Sequence, residues 1–145
     1  MNLGFLREAI RLSVEKMEAN EGGPFGAVVV RNGEIVGRGW NRVHDDPTAH
    51  AEVVAIRDAC SRLKTFSLAG VRDMQLRAVP AWPQLSRLDR IYYAATCDDA
   101  AAAGFDDRSF YQEIRKPAGE RAIPMEQAAT SCPQAWAKKE DRIRY

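Results

Sequence analysis

The chain has 145 residues, 46% of them hydrophobic and 28% charged, the composition of one globular domain able to bury its own core. Twenty-one Lys plus Arg against twenty Asp plus Glu leave a net charge of +1, which excludes a bulk electrostatic grip on nucleic acid or an anionic membrane surface. Apolar runs are too short for a spanning helix, and charges interrupt the first apolar stretch, so the N-terminus does not read as a signal peptide. Three cysteines, Cys60, Cys97 and Cys132, are too few and too odd for a disulfide framework, so a reducing cytoplasm is expected.

Residues 3–19 carry Leu6, Ala9, Ile10, Ser13, Val14 and Met17 at helical spacing, predicting an amphipathic helix with those residues inward. It should stop at Asn20-Glu21-Gly22-Gly23-Pro24. Two strands follow, residues 25–30 and 34–40, joined by Asn32-Gly33, a strong hairpin signal. Asp46-Pro47 reads as an N-cap and first helical residue, opening a helix to about Leu63 that is apolar nearly all round and should be sandwiched. Residues 90–96 form a third clear strand, and residues 98–103 a small-residue helix stopped by Gly104. The rest reads as loop, with a short closing helix over residues 134–141. Residues 71–86 show no clean period, and Pro80, Trp82 and Pro83 crowd together there, so the sheet is expected either to lose a central strand or to fill it with something like residues 71–79, whose Arg72, Asp73 and Arg77 suit an exposed run better than a buried one. The order of elements predicts one α/β domain with helices on both faces of a mixed sheet.

Thr48-Ala49-His50-Ala51-Glu52, at a helix start, pairs a potential metal ligand with a potential proton carrier. Residues i and i+2 diverge on a helix flank, so a shared target must lie off the helix's N-terminal end, where the partial positive charge favours an anion. In isolation His-x-Glu is commonplace, and the plain alternative is a solvated glutamate and a histidine bonded to a loop carbonyl.

Its context is not commonplace. GGPFGAVVVRNGEIVGRGWNRV, DPTAHAE, RIYYAAT, DAAAAGFDD, ERAIPM and the terminal tyrosine, in that order, resemble the bacterial guanine deaminases, a branch of the cytidine deaminase-like zinc hydrolases. The resemblance implies a three-layer α-β-α fold and the hydrolysis of guanine to xanthine and ammonia. It implies Zn held by one His and two Cys, His50 being the matching ligand, with Glu52 carrying protons between metal-bound water and the base. It implies that Asn41, the backbone of Ala51 and Asp107 hold the purine, Asp107 being a better match than Asp106. It further implies a homodimer in which residues 127–145 exchange and Tyr145 closes the partner's site. Nucleic acid and membrane are not expected partners. A tRNA editor, the more distant alternative, would want a Lys/Arg-rich end, but residues 138–145 mix signs.

One block departs from the pattern. The family's two cysteine ligands come as Pro-Cys-x-x-Cys after the central strand, yet the 16 residues between Gly70 and Arg87 contain no cysteine. Cys60 lies ten residues along the helix from His50, ~15 Å at 1.5 Å per residue, too far to share one ion with it. Cys97 and Cys132 read as ordinary thiols. Leu76-Arg77-Ala78-Val79-Pro80, written CTG CGA GCC GTG CCC and read one base on, encodes Cys-Glu-Pro-Cys-Pro. Two compensating frame changes within residues 71–86 would account for the lost motif and the shortened segment. Either origin predicts an abnormal metal site and impaired or absent catalysis, the alternative function being a non-catalytic protein of this fold.

Overall fold

A computed structural model describes residues 2–71, 87–123, 125 and 138–140, and the backbone of residues 73–78. The closing helix expected over residues 134–141 falls largely outside them, as do Cys132 and Tyr145.

Helix α1 spans Leu3–Glu18, and the Asn2 side chain accepts a hydrogen bond from the Gly4 amide to cap it. Its buried residues are Ala9, Leu12 and Ser13, whereas Ile10, Val14 and Met17 are at least one-third exposed. The inward face is therefore rotated from the expected stripe. The helix carries two apolar stripes, and close packing selects the one with the smaller residues. A Cβ on Gly26 would stand 2.3 Å from the Ala9 carbonyl oxygen, so the helix rests backbone-close on the sheet.

Strands β1 (Gly26–Arg31) and β2 (Glu34–Trp40) form the expected antiparallel hairpin. Asn32 and Gly33 both take positive φ, 53° and 82°, as the tight turn requires. Helix α2 runs Ala51–Leu63, with His50 as its N-cap. The helix does not start at Asp46 as expected. The Asp46 carboxylate instead accepts from the amide and hydroxyl of Thr48, closing a side-chain turn, and the chain enters the helix only after it.

Helix α2 packs on the opposite sheet face from α1. Alternation along β1 sends Ala27 and Val29 toward Ala51, Ala55 and Ala59 of α2, and Val28 and Val30 toward Ala9 of α1. Gly37 and Gly39 make the α2 contact possible. A Cβ there would lie 2.5 Å from the Ala55 oxygen and 2.1 Å from the Ala51 oxygen. Asp58 adds a tie by accepting from the Arg38 amide at 2.9 Å.

Strand β3 (Asp73–Ala78) lies in the unreadable segment, and β4 (Ile91–Ala95) in the expected one. The sheet order is β2-β1-β3-β4. Strand β3 pairs antiparallel with β1 and parallel with β4. The central place is thus filled from within residues 71–86, although the sequence there shows no strand period. The architecture is the expected α/β one, a mixed sheet between helices.

Helix α3 (Cys97–Ala102) is capped by Thr96, whose hydroxyl accepts from the Asp99 amide while the Asp99 carboxylate accepts from the Thr96 amide. Helix α4 (Arg108–Arg115) occupies what reads as loop. Eight residues are barely two turns, too few for a repeating pattern to declare itself. No described helix is long and apolar enough to cross a membrane.

Candidate functional site

The strand registers bring five pieces of chain to one end of the sheet. Gly26 at the start of β1 faces Trp40 at the end of β2, and Ala27 faces Leu76 near the end of β3. Ala78 faces Ala95 at the end of β4. The N-terminus of α2 lies at the same end, since its Ala51 packs on Gly39. Phe25, Asn41, His50, Glu52 and Cys97 therefore converge where the parallel strands end, the usual place for a site in an open α/β sheet.

Asn41 is buried. Its Oδ1 accepts from the Gly23 and Val43 amides, both at 3.3 Å, and its own amide donates to the Phe25 carbonyl at 3.1 Å. Gly22 makes the fit possible: a Cβ there would fall 1.7 Å from the Asn41 carbonyl oxygen. With Oδ1 engaged, the side-chain NH₂ is the end of Asn41 left to donate to a ligand. The neighbouring Arg42 amide donates to the Ala49 carbonyl at 2.8 Å, pinning this loop to the residue before His50.

His50, half-buried, adopts extended φ and ψ of −65° and 151° and makes no side-chain cap bond. Glu52 follows in the first turn and is only 4% exposed. Its Oε1 is buried without a hydrogen-bond partner. An uncompensated buried carboxylate oxygen is costly, and such costs concentrate at functional sites. Burial raises the Glu52 pKa above the ordinary carboxylate value; a bond from its own amide and the charge of His50 oppose this, and Asp107 adds to it. His50 and Asp107 thus both act on Glu52 at the α2 N-terminus.

Ala51 is also buried. Its carbonyl packs against Gly39, so of its backbone only the amide is available to a ligand. Asp106 and Asp107 part ways. Asp106 is bound by Arg108 at 2.7 and 2.8 Å, which holds its carboxyl down to about 2. Asp107 makes no side-chain cap bond on α4 and is exposed, with its charge reaching Glu52. Phe105, two residues earlier, stands edge-on to Phe25 and anchors this loop beside Asn41.

Two residues missed by sequence reasoning join this group. Tyr111 is half-buried, and its hydroxyl is pushed up to about 12 by burial first and then by Cys97. The available signals were Tyr111's place one helical turn after Asp107, and Cys97's place directly after a parallel strand.

A resident zinc needs three protein ligands and a water. Among the described residues no group of three or more His, Cys, Asp or Glu is arranged to hold a metal ion. Cys60 packs with the core of the sandwiched helix, and Cys97 opens α3 beyond the end of β4. Residues 71–86, which hold β3, bring no cysteine. The described donor set does not fit a His-Cys-Cys centre.

Residues 2–80 match the cytidine and deoxycytidylate deaminase zinc-binding region. The chain is 43% identical over 155 aligned positions to a guanine deaminase of Bacillus subtilis, covering 97% of each. The crystal structure of guanine deaminase from Bacillus subtilis superposes with a TM-score of 0.91 at 42% identity, covering 100% of this chain and 99% of that one. The structure of NE0047 with 2,6-diaminopurine matches at TM-score 0.65 and 29% identity, covering 70% of this chain and 60% of that one. With this sheet, this α2 N-terminus and these matches, the chain belongs to the cytidine and deoxycytidylate deaminase family.

Proposed function

We propose that this site is a purine-base pocket of the guanine deaminase type in which zinc-dependent hydrolysis to xanthine and ammonia is impaired. The observation that carries the pocket is Glu52: a buried carboxylate with an unpartnered Oε1, beside His50 and under the influence of Asp107. An N–H group of a purine ring would satisfy that oxygen. Asn41 would donate to a ring nitrogen or carbonyl through its NH₂, and Asp107 would accept from guanine's amino and ring N–H groups. The amide of Ala51 would face the base. Glu52, its pKa raised by burial, is suited to carry a proton to a ring nitrogen and to recover it.

The impairment rests on the donor set. His50 is the one family-type ligand, and the residues that should bring two thiolates bring none. A proton carrier without a means of activating water supports binding better than turnover. A non-catalytic protein of this fold is the limiting form of the same reading. A tRNA substrate is less well supported, because a net charge of +1 gives no general attraction to RNA.

The expected assembly is a homodimer with residues 127–145 exchanged and Tyr145 closing the partner's pocket. Phe110, Ile114, Ile123 and Met125 are half or more exposed, an apolar surface that association would cover. The expected compartment is the cytoplasm, in keeping with Cys60 and Cys97 lying outside any disulfide.

Metal analysis by mass spectrometry, guanine turnover with and without added zinc, and calorimetry with 8-azaguanine test this together. A variant of NE0047 has been crystallised with that compound. The expected results are far less than one zinc per chain, no turnover, and measurable binding. Stoichiometric zinc with turnover would overturn the impairment, and absence of binding would overturn the purine pocket.

A further inference from the structure

We propose that Trp40 is a positioning residue for Asn41: its ring, with the Lys16 ammonium and the Arg42 guanidinium set over it, binds together the two chain segments that aim the Asn41 side chain. The consequence for a ligand rests on the purine-pocket reading, but the clamp stands on distances of its own.

Trp40 is the last residue of β2 and is half-buried. A Cβ on Gly39 would point into α2, so alternation along the strand turns Trp40 toward the α1 face. Lys16, in the last turn of α1, places its Nζ 4.6 Å from the centroid of the Trp40 ring. The Arg42 guanidinium carbon lies 5.7 Å from the same centroid. Both fall within the ~6 Å over which an aromatic face attracts a cation. Two cations on one ring would repel, but each has its own counter-charge. Lys16 Nζ donates to Glu21 Oε1 at 2.9 Å, and Arg42 donates from Nε and Nη2 to Asp45 Oδ2 at 3.0 and 2.9 Å. The indole Nε1 is buried and has no hydrogen-bond partner among the described residues. An orphaned donor costs stability, so the ring serves here through its faces and not through its N–H.

The two cations belong to the two segments that enclose Asn41. On one side the Glu21 amide donates to the Lys16 carbonyl at 3.0 Å, and Gly22 and Gly23 follow. Gly22 lies against the Asn41 carbonyl, and the Gly23 amide donates to Asn41 Oδ1. On the other side Arg42 donates its amide to the Ala49 carbonyl, and its own carbonyl accepts from the Asp45 and Asp46 amides at 2.9 and 3.2 Å. The two bonds that fix Asn41 Oδ1 come from the Gly23 and Val43 amides, one from each segment, and both are 3.3 Å, long for an N–H···O bond. They hold the side chain only while the segments stay in register, and Trp40 meets a cation from each. Without that ring, the Asn41 NH₂ would have to be ordered at the moment of binding, and the ordering subtracts from affinity.

Three variants test this: Trp40→Leu, Trp40→Phe and Lys16→Met. The first readout needs no ligand: amide hydrogen exchange by NMR at Gly23 and Val43, the donors to Asn41 Oδ1. The second is the calorimetric affinity for 8-azaguanine. Trp40→Leu should speed exchange at both amides about tenfold and bind 8-azaguanine about tenfold more weakly, while the amides of Val28 and Val29 keep their rates. Trp40→Phe keeps an aromatic face and should stay within about threefold of the unaltered chain in both readouts. Lys16→Met keeps the length of the side chain but loses the charge, and should fall between the two. Unchanged exchange at Gly23 and Val43 in Trp40→Leu would overturn the proposal, as would Trp40→Phe behaving like Trp40→Leu. If Trp40→Leu fails to fold, Lys16→Met decides, and unchanged exchange in it is the overturning result. If the unaltered chain does not bind 8-azaguanine, the purine reading fails, and the exchange rates alone decide the clamp.

Discussion

The ring of Phe105 stands edge-on to that of Phe25, with centroids 4.9 Å apart and planes at 86°. Phe25 opens the sheet and accepts from the Asn41 amide, while Phe105 closes the loop that leads to Asp107. One aromatic contact therefore links two residues on which the purine pocket depends. An edge-to-face pair contributes ~0.5–1.5 kcal/mol beyond the area it buries. Phe105→Ala should lower the unfolding free energy by about 1–2 kcal/mol in urea titration. It should also weaken 8-azaguanine binding, measured by calorimetry, more than that modest loss of stability would suggest.

Gly39 admits the first turn of α2. A Cβ there would sit 2.1 Å from the Ala51 oxygen and 2.3 Å from the Ala55 nitrogen. These are backbone atoms of a buried helix and cannot step aside, so Gly39→Ala should cost about 1–3 kcal/mol, typical of overpacking. Gly119→Ala meets nothing within 4 Å and should stay within about 0.5 kcal/mol. Paired urea titrations check both.

Glu52 is buried with one oxygen unsatisfied. Glu52→Gln keeps the shape and removes the charge that burial disfavours. At neutral pH this variant should be more stable than the unaltered chain, by an amount on the order of 1 kcal/mol. Thermal unfolding at pH 7 checks the sign, and a lower midpoint would contradict it.

The α3 cap supplies a pH dependence. Bonds from the Thr96 hydroxyl and amide hold the Asp99 carboxyl below its ordinary value. For an acid with a lowered folded pKa, the stabilisation is present above the unfolded value and is lost as pH falls through the folded one. Amide exchange at Thr96 and Asp99 should therefore accelerate in acid, below the ordinary carboxylate range. Asp99→Asn should be faster at neutral pH and show no such acid step.

Phe110 and Ile114, four residues apart on α4, are both exposed apolar side chains. If the dimer covers them, Phe110→Glu with Ile114→Glu should convert a dimer to a monomer in light scattering coupled to size exclusion. A dimer of unchanged mass would place the interface elsewhere.

Local chemistry made much of this protein legible. Asn32-Gly33 requires positive φ at both positions and announces its hairpin regardless of what surrounds it. The His50-Glu52 spacing could be placed at a helix start, and the structure keeps it there. The Asp46 start failed because a side-chain turn and a helix cap use the same Asp-x-Thr chemistry, and the winner depends on where the chain must go next. The inward face of α1 was legible in part: Ala9 and Ser13 are buried as expected, while Ile10, Val14 and Met17 turn outward because the close approach at Gly26 rotates the helix toward Leu12.

The sequence by itself determined the hairpin, the sandwiched helix with its His-x-Glu start, and the absence of cysteine from residues 71–86, because turn chemistry, periodicity and residue counts need no partners. Only the tertiary structure decided that the segment without a period becomes an interior strand and that Glu52 keeps a buried oxygen unpartnered. Those outcomes depend on backbone pairing and on burial between elements far apart in the chain, and no local pattern encodes either.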